Sequence, residues 1–250
     1  MTAVLTSRII KGGALLDDAR RLVEVWVSTE TVEQNLGRVL GQNLLAKRSR
    51  VRLEEVVDLV LRPRLIDPGP DVLASLKLLE ESPSAFREAC YYEAARADPL
   101  IGRFAEDALF PRHLRGRTVI DVSDVEGWLA EQTGPLAWGE AVRRRVANGL
   151  LATLRDFGVL DGSVKKRIAR PRLSVGGFAY AAYREHQQGR PARALVASHV
   201  WRWWLLEEQQ VRELFDAAAR HGILRYAEAG SAIRIDWSVH SLEDLARAAA

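Results

Sequence analysis

The 250-residue sequence has one cysteine, one methionine and no long apolar run. A lone Cys90 excludes an internal disulfide, and the N-terminus lacks the layout of a signal peptide, so we expect a cytoplasmic protein with a packed, inert thiol. No run of eighteen apolar residues occurs, which predicts no transmembrane helix. Since 48% of the residues are hydrophobic, the chain can build a core in one large domain or in several small ones.

The motifs by which common enzymes are recognised are also missing. The sequence contains no G-x-x-x-x-G-K-[ST] phosphate loop, no G-x-G-x-x-G, no H-E-x-x-H and no C-x-x-C pair. Its five histidines have no metal-ligand spacing. Asp121 and Asp124 lie at a predicted helix start, where carboxylates stabilise the helix dipole. We therefore expect a non-enzymatic protein without a metal or a cofactor.

Hydrophobic periodicity predicts a mainly α chain that begins with a helical bundle. The predicted helices span 15–27, 28–45 with caps at Ser28 and Thr29, and 49–63 with a cap at Ser49 and a stop at Pro63. The segment 67–70, Asp-Pro-Gly-Pro, is a domain boundary or a rigid turn, and we favour the turn because helices resume at once. Helices over 72–81, 84–96 and 100–110 follow.

The middle of the chain has the element order of a winged helix-turn-helix. A short strand is predicted at 118–121, a helix at 124–132 with a Ser123/Glu126 capping box, a helix at 138–157 ended by Gly158, and a hairpin at 159–170. The last third repeats this order, with helices over 178–188, 195–206 and 207–221, a hairpin over 223–237 and a terminal helix capped by Ser241.

The predicted fold is therefore a helical bundle followed by two winged-helix-like units with short β-hairpins. The expected units are 1–97, 98–175 and 176–250, which can also pack as one compact body. In the first winged unit, one face of the helix 138–157 is apolar, formed by Val142, Val146, Leu150, Leu154 and Phe157.

Positive charge is concentrated in residues 141–173. This window has a net charge of +7, whereas the whole chain carries +3. Its two acidic residues are Asp156 and Asp161, and its nine basic residues are Arg143, Arg144, Arg145, Arg155, Lys165, Lys166, Arg167, Arg170 and Arg172. Such a concentration is typical of a protein that binds a polyanion.

We expect the hairpin cations from Lys165 to Arg172 to contact DNA phosphates, with two of Lys165, Lys166 and Arg167 reaching them together. Phosphate or base contacts are expected from the polar helix face, namely Arg144, Arg145, Asn148 and Arg155, whereas Arg143 snorkels along the apolar side. A second cluster, Lys47, Arg48 and Arg50 with Arg52, either extends this surface or is a solvated loop. The alternative for every one of these positions is an ordinary solvated surface.

The segment Trp201-Arg202-Trp203-Trp204 is compatible with stacking on bases, but helical spacing favours packing, with Trp203 alone exposed. The next helix carries Glu207, Glu208, Glu213 and Asp216 outward, which would repel DNA. The second winged unit is therefore predicted to be structural or to bind protein.

Several stretches resemble the BrxA family of BREX phage-defence systems. They are GGALLDDARRLVEVW, QNLLAKRSR, SPSAFREACYYEAARADPLIGRFAEDALFPRHLRG, WGEAVRRRVANGLLATLRDFGVLDG with KKRIARPRL, and VWRWWLLEEQQVRELFDAAARHGILRYAEAGSAIRIDW. The resemblance implies a small, helical, non-enzymatic protein that binds double-stranded DNA within a multi-protein defence complex. The resemblance implies no catalytic residues in this chain.

Two functions are therefore open. The first is an accessory protein that binds double-stranded DNA with little sequence preference. The second is a protein-interaction scaffold whose basic window binds an acidic partner protein.

Overall fold

The computed structural model describes residues 5–133, 138–230 and 232–249, and its chain is mainly α-helical. After a 3₁₀ turn (Arg8–Ile10) come α1 (Leu16–Val25), α2 (Val32–Gly41) and α3 (Arg50–Val56), which continues as a π-helical segment (Val57–Ile66). The helices α4 (Pro70–Leu79) and α5 (Pro83–Ala97) follow. Ser49 caps α3 as predicted, because its hydroxyl accepts the amide of Arg52 at 3.2 Å.

Two predicted helix limits in the bundle are wrong. Thr31, and not Ser28 or Thr29, caps α2: its hydroxyl accepts the Gln34 amide while its own amide donates to Gln34 Oε1. This reciprocal box satisfies two amides, whereas a Ser or Thr cap alone would satisfy one. Pro63 does not stop α3, because the wider π-helical turn carries the chain past it to Ile66.

The middle part begins with α6 (Pro99–Phe104), which passes through a π-helical turn (Ala105–Leu109) into α7 (Phe110–Leu114). Then come β1 (Val119–Ile120), α8 (Val122–Thr133), α9 (Glu140–Asp156), β2 (Leu160–Asp161) and β3 (Lys166–Ile168). The three strands form one antiparallel sheet in the order β1-β3-β2. The strand predicted at 118–121 thus joins the hairpin, which we call the wing (residues 160–168).

Asp121 and Asp124 cap α8, so the predicted Ser123/Glu126 box is wrong. The Asp124 amide donates to Asp121 Oδ1 and the Asp121 amide to Asp124 Oδ2, both at 3.0 Å. Hydrogen bonds from the Ser123 hydroxyl and the Asp124 amide hold the pKa of Asp121 below its usual value. The carboxylates predicted at this helix start therefore act as its caps.

The last part comprises α10 (Val175–His186), α11 (Ala192–Val196), a 3₁₀ helix (His199–Trp204), α12 (Glu208–Arg220), β4 (Leu224–Ala229), β5 (Ala232–Trp237) and α13 (Leu242–Ala249). Strands β4 and β5 form a two-stranded antiparallel sheet. Both α9 and α12 end in a glycine with positive φ, Gly158 and Gly222, before their hairpins, which matches the predicted repeat. The helix predicted over 195–206 is wrong, because the chain breaks there into α11 and the 3₁₀ helix.

Trp203 is also buried, contrary to prediction, as are Trp201 and Trp204. Its indole lies so close to Gly102 that a Cβ there would sit 2.9 Å from the ring. The glycine in α6 therefore creates the space that receives this side chain.

A single hydrophobic cluster includes buried side chains from Ile9 to Ala246 and thus from all three predicted units. Within it, Glu93 of α5 accepts hydrogen bonds at 2.8 Å from Arg184 Nε and from the Tyr180 hydroxyl of α10. The division at 97/98 and 175/176 stays a prediction. In the described part of the chain, every helix is too short or too polar to cross a membrane.

Candidate nucleic-acid interface

Helix α9 presents the central part of the basic window. Val146, Leu150 and Leu154 are fully buried, and Phe157 lies beside them, so the predicted apolar face is confirmed for these four. Val142 is 36% exposed, contrary to prediction, because the first turn of α9 projects beyond the core. The opposite face of the helix is left to solvent, as its amphipathic pattern requires.

Four predicted site residues lie on that exposed face, and they differ in availability. Arg144 and Arg145 are exposed, and neither forms an ion pair with any residue that the structure describes. Arg155 is already paired, at 2.6 Å, with its neighbour Asp156. Asn148 donates one N–H of its side-chain amide at 2.9 Å to the Arg144 carbonyl one turn earlier, which leaves its second N–H and its Oδ1 for an external partner. Arg143 is half-buried, as a snorkelling side chain is.

The wing alternates as a strand should. Lys165 and Arg167 are exposed, but Lys166 is buried and donates its Nζ to the Ser163 carbonyl. The register explains this, because Lys166 lies opposite Ile120 on the inner face of the sheet. The prediction that Lys166 contacts DNA is therefore wrong, because this residue faces inward. The other two cations of the wing, Lys165 and Arg167, face outward, as expected. At the tip, Val164 is 93% exposed.

The sequence reasoning missed two arginines beside the wing. Arg115 and Arg117 are exposed, and neither makes an ion pair within the described ranges. The Ile168 amide donates to the Thr118 carbonyl at 2.7 Å, which brings the segment with Arg117 alongside β3. The sequence could have indicated these two arginines, because they belong to the polar run 111–117, which directly precedes the predicted strand.

The second basic cluster, Lys47 to Arg52, is largely neutralised within the chain. Lys47 pairs with Asp18, Arg50 with Glu54 at 2.7 Å, and Arg52 with Glu55 at 3.6 Å. Arg48 is exposed and has no ion-pair partner among the described residues. Of the cluster, Arg48 alone thus keeps an uncompensated charge.

The N-terminal segment connects this cluster to α9. The Arg52 guanidinium donates to the Lys11 carbonyl. Two residues earlier, the Ile9 carbonyl oxygen lies 3.4 Å from the position that a Cβ on Gly149 would take. The second cluster and α9 therefore both contact the same short N-terminal segment.

Arg170 and Arg172 are exposed in the extended segment between β3 and α10, on the side of the wing away from β1.

Cys90 is buried, and burial raises the pKa of its thiol far above the ordinary value, which fits an inert packed side chain. Across the described ranges, His, Cys, Asp and Glu form no group that could hold a metal ion.

A model of the BrxA family matches residues 6–183, more than two thirds of the chain. The crystal structure of an uncharacterized protein from Magnetospirillum magneticum is similar, with a TM-score of 0.63 and 19% identity over 80% of this chain and 97% of that one. At that identity the likeness concerns the fold alone. The curated proteins contain no match. The chain belongs to the BrxA family of BREX phage-defence proteins.

Proposed function

We propose that the protein is a non-enzymatic, cytoplasmic accessory factor that binds double-stranded DNA within a BREX-type defence complex. One observation carries the DNA-binding part: α9 and the wing each expose cations that form no ion pair with any residue that the structure describes. Arg144 and Arg145 lie on the helix, and Lys165 and Arg167 lie on the hairpin that packs against the end of that helix. A cation that has no carboxylate partner keeps its full charge for an external anion.

The chemistry of these residues suits phosphates better than base edges. Each phosphate that a cation neutralises releases condensed counterions, and this favours binding on any sequence. On the polar face of α9, Arg155 pairs with Asp156 and Asn148 uses one amide N–H within the helix, so two of the four side chains are partly engaged. We therefore propose binding with little sequence preference, in which the contacts position the protein without specifying a site.

The test is a fluorescence-anisotropy titration at several salt concentrations with duplex DNA, single-stranded DNA and RNA of equal length. We expect duplex binding whose log affinity falls steeply and linearly with log salt, by about 0.9 for each phosphate contact. Selection from a random duplex pool should return no short motif. Absence of duplex binding near physiological salt would reject the proposal, and convergence on one motif would reject its low-preference part.

A protein-interaction scaffold is the second candidate, and a specific feature favours it. Val119, opposite Arg167, is 48% exposed, Val164, next to Lys165, is 93% exposed, and Leu114, beside Arg115, is 52% exposed. Arginine combined with exposed apolar side chains is typical of protein interfaces. A scaffold of this kind would bind an acidic defence-complex protein and show no retention of any of the three nucleic acids at physiological salt.

A further inference from the structure

A cleft of about 1060 Å³ opens beside the wing, where three parts of the fold meet. Its walls are the start of α5, the turn that follows α9, and the segment 169–174 that leaves the wing toward α10. Phe157 and Trp204 contribute aromatic surface to it. The volume is at the upper end of what ligand pockets enclose, roughly 300–1,000 Å³.

Three arginines line this cleft: Arg87 from α5, and Arg170 and Arg172 from the segment after the wing. All three are exposed, and within the described part of the chain none of them forms an ion pair. Arg170 and Arg172 belong to the charge window 141–173, but Arg87 comes from α5, far away in sequence, so its approach to them is a property of the fold.

Two carboxylates line the cleft, the exposed Asp161 and the buried Glu88, and neither forms an ion pair with these arginines. Glu88 Oε2 accepts the Ser174 amide at 3.1 Å and the Ser174 hydroxyl, so the group is turned toward the start of α10. Burial raises the pKa of Glu88, whereas its Ser174 hydrogen bonds and the charges of Arg87 and Arg172 lower it. Both arginines line the same cleft as Glu88, and their guanidinium groups form no ion pair with any described residue.

Arg87 has a defined position at this cleft. Its guanidinium carbon lies 3.5 Å from the position of a Cβ on Gly158, directly after the C-terminus of α9. The partial negative charge of that helix end favours a cation there. The helix end holds the side chain in place without removing its charge.

Building on the proposed function, we propose that the cleft receives the sugar-phosphate backbone of the DNA strand that passes the wing, with Arg87 as a phosphate contact. Continuity supports this: Arg170 comes two residues after Ile168, the last residue of β3, so a strand that follows the wing next meets the cleft. The DNA footprint would then extend from the wing onto α5 of the N-terminal bundle. A free nucleotide presents the same phosphate chemistry and is the other source to be distinguished.

The test compares the wild type with Arg87→Gln in salt-resolved anisotropy titrations on a 30-bp duplex. We expect weaker binding on every sequence and a slope of log affinity against log salt that is smaller by about 1, for one lost phosphate contact. Arg87→Lys should keep most of the slope. The matched control is Arg220→Gln, which removes an exposed, unpaired arginine at the end of α12 and should match the wild type. Thermal melting of each variant verifies the fold.

The outcomes separate the two proposals. If the wild type binds duplex steeply but Arg87→Gln keeps the wild-type slope, the cleft inference is wrong and DNA binding stands. If the wild type does not bind duplex, both are wrong. Titration with dATP and with inorganic pyrophosphate addresses the free ligand: stoichiometric binding that depends on Arg87 and leaves duplex affinity unchanged would assign the cleft to a nucleotide and overturn the inference.

Discussion

Val119 of β1 lies directly opposite Arg167 of β3, so this arginine stands in the middle of a three-stranded sheet. On its other side, Asp161 of β2 occupies the same register position. Directly opposite residues point to the same face of a sheet, which here is the outer one. Arg167 is thus presented from a supported strand and not from a free loop.

The outward pair Lys165 and Arg167 should account for the wing's share of DNA binding. Replacing both with Ala should weaken duplex binding about equally across sequences and reduce the salt slope by roughly 2, because two phosphate contacts are lost. Folding should be unaffected, since substitutions of exposed surface residues usually change stability by less than about 0.5 kcal/mol each. Lys166→Ala is the control: its Nζ bonds the Ser163 carbonyl, so it should change stability and leave the slope intact. If the double variant keeps the wild-type slope of log affinity against log salt, the wing does not contact DNA and is only a solvated turn.

Gly162 should be needed for the shape of the wing. It has φ +88°, and a Cβ would collide with the Lys165 carbonyl oxygen, which is backbone and cannot move aside. Gly189 has a similar φ of +79° with open space around it. Gly189→Ala should therefore cost only the conformational strain, about 1–2 kcal/mol. Gly162→Ala should lower the melting temperature further and also weaken duplex binding. Equal melting temperatures for the two variants would show that the hairpin relaxes around the methyl group.

Ile235→Asp should destabilise the second hairpin. Ile235 is half-buried and lies opposite Tyr226, whose ring stacks on Phe215 of α12 at 5.4 Å. A carboxylate there loses apolar contact and is poorly solvated, at a cost of about 1–3 kcal/mol. Each kcal/mol lowers the melting temperature of a chain this size by roughly 2–4 °C. Ala227→Asp, on the exposed face of the same sheet, should melt like the wild type. If Ile235→Asp does so too, that face is available to a partner.

Arg48 and Lys47 are neighbours with different expected roles. Arg48→Gln should weaken duplex binding and reduce the salt slope, because its charge has no internal partner. Lys47→Gln should lower stability while leaving the slope unchanged, because Lys47 pairs with Asp18. Urea unfolding and anisotropy of both variants measure the two effects. Identical slopes for Arg48→Gln and the wild type would show that the loop lies outside the DNA footprint.

The elements that could be predicted are those determined by local chemistry. The Ser49 cap, the glycine ends of α9 and α12 and the apolar face of α9 each depend on residues within a few positions of one another. The wrong limits have tertiary causes. Trp203 is buried because Gly102, a hundred residues earlier, leaves room for its ring. Pro63 stays within a helix because a π-helical turn accommodates it.

For the candidate site, the sequence predicted where the basic residues lie but not which of them form ion pairs within the fold. Arg155, Lys47 and Arg50 count as cations in a composition window, yet each is paired in the fold. Conversely, Arg87 lies outside every basic run and reaches the cleft only because α5 packs beside the turn after α9. Pairing and convergence depend on distances between elements, which a linear pattern does not encode.

The ion pair between Glu93 and Arg184 has a consequence for any shortened form of the protein. The family match ends at residue 183, and Arg184 is the next residue along the chain. Ending the polypeptide there would leave Glu93, whose side chain is 1% exposed, as a buried anion without its cation. Removing one partner of such a pair costs about 3–5 kcal/mol, a large part of what holds a typical protein folded. Loss of Arg184, in the last turn of α10, should therefore destabilise the N-terminal bundle, and fragments that end at residue 183 should be recovered as insoluble or protease-sensitive material.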